Sequence, residues 1–380
     1  MWRSSWLIGV PTFAKRRDAR SVERRRLMAD VERQDTVTID QYISGMRVRT
    51  LALSVAPVWI GTAAGVGIVR ERAAASSRCT VLTGGASCVP DTARIAAVAV
   101  LCLLVAMLLQ IAANFVNDYS DGIRGTDAHR AAGAIAARLD DDLDTPADRM
   151  EVPPARLVAS GVPPRHVLAA AVVNAALACT CGLAVVVITG YWWLIVVGAL
   201  CLAAGWYYVG GRRPYGYMGF GEVAVFVFFG LVATLGTTYA IAGALDAAAW
   251  VGAAAIGVVA VAVLCVNNLR DIDTDRAAGK RTWAVRMGRT WGTVCTIALI
   301  AIVSLGAAVA WAATSVQGER LAHLSVLTAF LGILGAVCAL LTGWFAALDI
   351  AKRNYMRAMR SLGLLALATA LTFNGFALMI

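Results

Sequence analysis

Charge is scarce in this chain. Only 15% of its 380 residues are Asp, Glu, Lys or Arg, whereas 59% are hydrophobic, and the mean hydropathy is +0.69. A water-soluble domain of this length has no interior large enough to hide so much apolar surface. Short alternating segments are also missing, which excludes a membrane β-barrel. Histidine occurs three times, at His129, His166 and His323, scattered and without the Cys spacing of a zinc site. No apolar stretch closely follows the first charges, so residues 1–45 do not read as a signal peptide. A run of the form Asp-x-x-Asp-Gly-x-x-Ala-Arg is lacking too, which weakens phosphatidyl transfer.

What is present is a succession of apolar runs about 20 residues long, the length a bilayer requires. They predict an all-α polytopic membrane protein with nine spans, at about 49–69, 93–117, 165–189, 191–210, 220–243, 246–268, 291–313, 324–348 and 359–379. Residues 1–45 form a basic tail suited to an anionic lipid surface. Residues 46–380 form one membrane domain, with a loop insertion at 128–152 that is rich in Ala and Asp. The net charge of +10 does not indicate nucleic acid, because 29 of the 34 Lys and Arg residues fall in the tail and in alternate loops. That bias predicts a multi-pass cell-membrane protein with a cytosolic N-terminus and an external C-terminus. Seven of the nine Cys lie within apolar runs and read as small core residues. Cys79 and Cys88 flank a loop between the first two spans. Outside the cell they can pair, and two free thiols fit equally.

Two polar segments stand at the ends of apolar runs. One is Asn114-Phe115-Val116-Asn117-Asp118-Tyr119-Ser120-Asp121, with Asp127 beyond it; the other is Asn267-Asn268-Leu269-Arg270-Asp271-Ile272-Asp273-Thr274-Asp275. Carboxylates beside hydrocarbon are costly, so such a pair calls for a function. The topology brings both to the cytosolic face. Asn114, Asn117, Asp118 and Asp121 share one helical face, and Asn267, Asp271 and Asp275 share another if the helix continues. A helix C-terminus already carries partial negative charge, so added carboxylates need a cation. Mg²⁺ suits them, because it takes carboxylate and phosphate oxygens in one shell. Arg270, Lys280 and Arg281 are placed to hold a diphosphate leaving group, as are Arg124 and Arg156. The matching Asn-x-x-x-Asp of Asn117/Asp121 and Asn267/Asp271, four spans apart, suggests duplication of a four-helix unit. An ion-coupled transporter is the rival from another class. It would place its charges near mid-membrane, whereas these lie at span ends.

Several stretches carry a family resemblance. They are Gln110 to Gly122 with Gly125-Thr126-Asp127; Arg156-Leu157-Val158-Ala159-Ser160-Gly161; Gly216-Tyr217-Met218-Gly219-Phe220-Gly221-Glu222; and Asn267 to Asp271 through Gly279-Lys280-Arg281-Thr282. On these motifs the chain resembles the UbiA superfamily of intramembrane prenyltransferases, and within it the 1,4-dihydroxy-2-naphthoate polyprenyltransferases of menaquinone biosynthesis. The resemblance implies nine helices around a cavity open to lipid. It implies Mg²⁺ held between two Asp motifs, and transfer of a polyprenyl chain from its diphosphate to 1,4-dihydroxy-2-naphthoate, with decarboxylation to demethylmenaquinone. By the same resemblance Asn117, Asp121, Asp271 and Asp275 match the core motif, and Asp118 and Asp127 match the subgroup's extra acids. Asp121, Asp271 and Lys280 are then the catalytic set. Asn114, Asn267, Arg270, Lys280, Arg281 and Arg156 fall on the diphosphate, and Tyr217 and Glu222 lie in a loop over the acceptor. Another aromatic or sugar-phosphate acceptor fits the same superfamily. One departure is the insertion after Asp127, with Pro153 where the subgroup has Gly and Arg149 out of register.

Overall fold

The apolar runs fold into helices whose ends are set by local chemistry. The computed structural model describes residues 38–83, 91–125, 156–211, 213–316 and 326–377. Among them every regular element is helical: α1 Ile39–Met46, α2 Ala52–Thr83, α3 Thr92–Ile123, α4 Pro164–Thr189 and α5 Leu194–Val209. These are followed by α6 Gly221–Ala242, α7 Ala247–Arg270, α8 Ile272–Ala277, α9 Trp283–Val316, α10 Val326–Ala351 and α11 Tyr355–Ala377. Thr38 and Gln41 close a capping box on α1, Asp91 accepts from the Arg94 amide at the start of α3, and Asp246 accepts from the Ala249 amide at the start of α7. Each cap satisfies an N–H that the first turn leaves without a helical partner.

Each of the nine expected spans overlaps a helix among the described residues. Among the described residues seven helices are long and apolar enough to cross a membrane, whereas α5 is a shorter apolar helix and α11 is not among the seven. The chain is an integral membrane protein by this count. Two boundaries differ most from the sequence reading. The helix of the first span runs on to Thr83, because the stretch after Arg70 is rich in Ala and nothing in it breaks a helix. The seventh begins at Trp283 and bends at Gly288, whose φ of 76° and ψ of 169° lie outside the helical range. Cys79 and Cys88 cannot be assessed as a pair, since Cys88 lies outside the described residues. The 1–37 part of the tail and the 128–152 insertion also lie outside them.

The core sits between α2, α7, α9, α10 and α11, with Ile60, Ile256, Val266, Ile300, Leu362 and Leu365 almost fully enclosed. Two-thirds of the apolar stretch of both α2 and α7 is buried, against 17% for α3. Lipid-like apolar side chains such as Val173, Leu200, Ile302 and Trp344 remain exposed on the outer helices. In a membrane, association of apolar helices depends on close packing of small residues. Gly230 shows the limit, because a Cβ there would stand 2.6 Å from Gly257 Cα and 2.8 Å from the Ala253 carbonyl. Gly230 lies in a wide π-helical turn, Phe226–Val232, within α6. A second cluster joins α1, α3 and α4 through Leu51, Ile111, Phe115, Leu157 and Val167, and it carries the first acidic segment.

Gly230→Val should lower unfolding stability in detergent by about 2 kcal/mol, the scale of forced overpacking. Denaturant titration followed by tryptophan fluorescence measures this, and an unchanged midpoint would show that α6 and α7 are not held at that distance.

Candidate functional site

The last turns of α3 present Asn114, Asn117, Asp118 and Asp121, and the helix continues through all four. Asn114 is buried. It donates to the Met46 carbonyl at 2.9 Å and accepts from Gln110 at 3.2 Å, so it braces α1 against α3. Asn117 is half-buried one turn before Asp121. Asp118 is 2% exposed. It is ion-paired with Arg47 and accepts from the Leu157 amide at 3.4 Å. Asp121 is 4% exposed and faces a different group: the Tyr217 hydroxyl at 2.6 Å, Arg156 at 2.5 Å and Lys280 at 3.5 Å.

The second segment departs from the straight face that its spacing predicts. α7 ends at Arg270, and Asp271 takes φ −95° and ψ 8° before α8 begins. Arg270 grips the Asp271 carboxylate with two hydrogen bonds, of 2.9 and 2.8 Å. Asp275 is buried on α8, with Lys280 at 3.3 Å. Asp273 is exposed and pairs with Arg289. The chain turns back after α8, and the Lys280 amide donates to the Asp275 carbonyl. One ammonium thus stands between Asp121 and Asp275, and the two acidic segments meet, as their shared topology predicted.

A 3₁₀ turn, Tyr215–Met218, closes one side. Lys280 lies 4.5 Å and Arg124 5.3 Å from the centre of the Tyr217 ring, so the ring carries two cation–π contacts while its hydroxyl donates to Asp121. Burial, reinforced by the Asp121 charge and hydrogen bond, raises the phenol's pKa well above its ordinary value and keeps it a proton donor. Arg281 is exposed, and what it adds here is its backbone N–H, which donates to the Tyr217 carbonyl at 2.8 Å. Glu222 is 2% exposed and accepts from Asn268 at 3.0 Å, tying the start of α6 to the end of α7. Asn267 is half-buried on the last turn of α7. Asp127 lies outside the described residues.

The residue that sequence reasoning missed is Arg47, counted there with the basic tail. Its place just before the first span, two residues from Arg49, is its only signal. Among the described residues no three His, Cys, Asp or Glu side chains gather as a metal cluster. The acids are instead compensated by Arg47, Arg156, Arg270 and Lys280. Two buried carboxylates on different helices, sharing one ammonium, are nevertheless hard-oxygen donors of the kind a divalent ion takes.

The comparisons with known proteins agree with this architecture. The UbiA prenyltransferase family model matches residues 79–341. Over 252 residues the chain is 44% identical to a 1,4-dihydroxy-2-naphthoate octaprenyltransferase of Mycobacterium leprae, covering 65% of this chain and 69% of that protein. It is 34% identical over 230 residues to the Escherichia coli protein of the same name, covering 56% of this chain and 68% of that one. Among solved structures, a UbiA homolog from Archaeoglobus fulgidus bound to DMAPP and Mg²⁺ shares the fold, with a TM-score of 0.50 and 16% identity over 89% of this chain and 99% of that one. With most of its length matched, and with its two acidic segments meeting at one end of a helical bundle, the chain belongs to the UbiA prenyltransferase family.

Proposed function

We propose that this prenyltransferase transfers a polyprenyl chain from its diphosphate to 1,4-dihydroxy-2-naphthoate, with Mg²⁺ as cofactor and a cytosolic-facing site. The observation that carries the chemistry is the meeting of Asp121 and Asp275 at Lys280. The naming of the mycobacterial and Escherichia coli relatives supports the acceptor. The bias of Lys and Arg toward alternate loops supports the orientation. Membrane lipids surround the bundle and hold the donor's tail.

Asn117, Asp121, Asp271 and Asp275 would hold the metal, with Asp127 assigned by resemblance. Asp118 is turned to Arg47 and Leu157 and is left out of this set. When bound, Mg²⁺ neutralises the diphosphate and makes pyrophosphate a competent leaving group. Lys280 and Arg156 then exchange their carboxylate partners for phosphate oxygens, aided by Arg270, and Tyr217 remains a neutral donor. Apolar side chains of α6, such as Phe226 and Phe229, keep water from the allylic centre. The allylic C–O bond breaks and its electron pair leaves with pyrophosphate. The ring carbon that carries the acceptor's carboxylate forms the new C–C bond. Carbon dioxide leaves from that carbon, its bonding pair restores the ring, and the product is demethylmenaquinol, the hydroquinone that a separate oxidation turns into demethylmenaquinone. Glu222, buried against Asn268, orients the loop that holds Tyr217 over the acceptor.

Purified protein in detergent, given Mg²⁺, a radiolabelled long-chain prenyl diphosphate and 1,4-dihydroxy-2-naphthoate, should form labelled lipid and release CO₂, and EDTA should abolish both. Prenylation of a different aromatic acid alone would discard the naphthoate assignment. Asp121→Asn should lower kcat by about two to three orders of magnitude, the scale on which removing one charge-stabilising group acts. Full activity in that variant would sink the metal assignment. Lys280→Met should cost about 3 kcal/mol of stability in EDTA, because it removes the buried cation that Asp121 and Asp275 share. Added Mg²⁺ should recover part of that loss in a denaturant titration. Equal stability of parent and variant in EDTA would mean that the lysine does not hold the two segments together.

A further inference from the structure

Asp118 and Asp121 are one turn apart on α3, yet they face different company. Asp121 meets the tips of Tyr217, Lys280 and Arg156. Asp118 is enclosed by fixed parts of the fold. Its Oδ1 pairs with Arg47 and, at 3.8 Å, with Arg156, and its Oδ2 accepts from the Leu157 backbone. Arg47 itself sits at φ 51° and ψ 58°, a left-handed conformation that a residue with a Cβ seldom adopts. Its side chain is thereby committed to Asp118 where the chain passes from α1 to α2.

The rest of α1 is seated around this pair. Its Tyr42 ring lies 5.1 Å from that of Phe115, and the Tyr42 hydroxyl accepts from Asn174 of α4 at 2.8 Å. A Cβ on Gly45 would stand 2.5 Å from Phe115 and 2.6 Å from Leu157, so helix and turn are pressed directly together. Asn114 holds the Met46 carbonyl. The 156–160 turn hangs from the same carboxylate through Leu157, and Arg156, the residue before it, reaches Asp121.

We propose that Asp118 and Arg47 are positioning residues rather than metal ligands. The pair clamps α1 and the 156–160 turn onto the end of α3, and so fixes Arg156 at Asp121. The two acids of one sequence motif divide the work, Asp118 building the site and Asp121 serving it. What the clamp serves rests on the prenyltransferase reading; the clamp itself does not.

The test uses full-length protein in lipid nanodiscs and two readouts that need no turnover. One is hydrogen–deuterium exchange of residues 39–50. The other is the Mg²⁺ concentration giving half-maximal thermal stabilisation at fixed inorganic pyrophosphate. Asp118→Ala and Arg47→Ala should each speed exchange of α1 by about tenfold or more, since each breaks a buried ion pair. The double variant should be no worse than either single one, and Arg47→Lys should restore part of the protection. Asp121→Ala should leave α1 protected while raising the half-effective Mg²⁺ concentration by about tenfold or more, a larger rise than either clamp variant gives. If Asp118→Ala leaves α1 protected and shifts the Mg²⁺ requirement as far as Asp121→Ala does, Asp118 is a ligand and the inference falls. If Asp118→Ala does not fold, Arg47→Ala decides the matter, because it keeps the carboxylate; unchanged protection of α1 there overturns the clamp. If Mg²⁺ and pyrophosphate do not stabilise even the parent, the metal reading fails, and the exchange of α1 still decides the clamp.

Discussion

Carboxylates buried at the end of a membrane helix must be matched by positive charge, and the site is organised around that requirement. Asp118, Asp121 and Asp275 are each at most 5% exposed. Asp118 and Asp121 draw their cations from distant parts of the chain: Arg47 lies 71 residues from Asp118, Arg156 lies 35 from Asp121, and Lys280, which also serves Asp275, lies 159 from Asp121. A buried pair contributes little net stability, because desolvation offsets attraction. Removing one partner, by contrast, costs several kcal/mol. The ion pairs therefore act less as glue than as a condition: segments that fail to arrive together leave a charge stranded.

Meeting that condition requires a frame that does not drift. The inner helices α2 and α7 supply it with small residues at their contacts, and Gly230 against Gly257 leaves no room for a side chain between α6 and α7. The frame holds the ends of α3 and α7 at fixed places, and local chemistry there aims the acids. On α3 the helix simply continues, so Asp118 and Asp121 diverge by their rotation about its axis. After α7 the backbone breaks at Asp271, and the short α8 turns Asp275 back toward Lys280. The two acidic segments share a sequence pattern and reach a common point by different backbone routes.

This difference marks what the sequence could convey. Helical class, the approximate position of each span and the convergence of the two acidic segments were legible, because apolar run length and the distribution of Lys and Arg are one-dimensional signals of a membrane fold. The extension of α2 to Thr83, the bend at Gly288 and the break at Asp271 were not, since helix ends depend on caps and contacts that periodicity does not encode. Arg47 was misassigned for a related reason. In composition it is one more cationic residue of a basic tail, and only the packing of α1 on Phe115 and Leu157 brings it to Asp118. Arg281 adds a contact of the same kind, since its backbone N–H donates to the Tyr217 carbonyl, which no sequence pattern encodes.

Charge balance connects these observations to chemistry. Asp118, Asp121, Asp271 and Asp275 are paired with Arg47, Arg156, Arg270 and Lys280, so the ion-pair set of the described site is neutral. A diphosphate brings several negative charges that this balance does not absorb, and charge held beside hydrocarbon without compensation is prohibitive. Drawing the four side-chain cations onto phosphate would only expose the carboxylates they now serve. Under the proposed function an imported divalent cation would meet both demands, with carboxylates of the site as its hard-oxygen donors and Lys280 and Arg156 freed for the leaving group. The side-chain cations thus keep the acids tolerable in the fold, and on the proposed reading Asp121, Asp271 and Asp275 would in turn keep a place for the ion that a diphosphate requires.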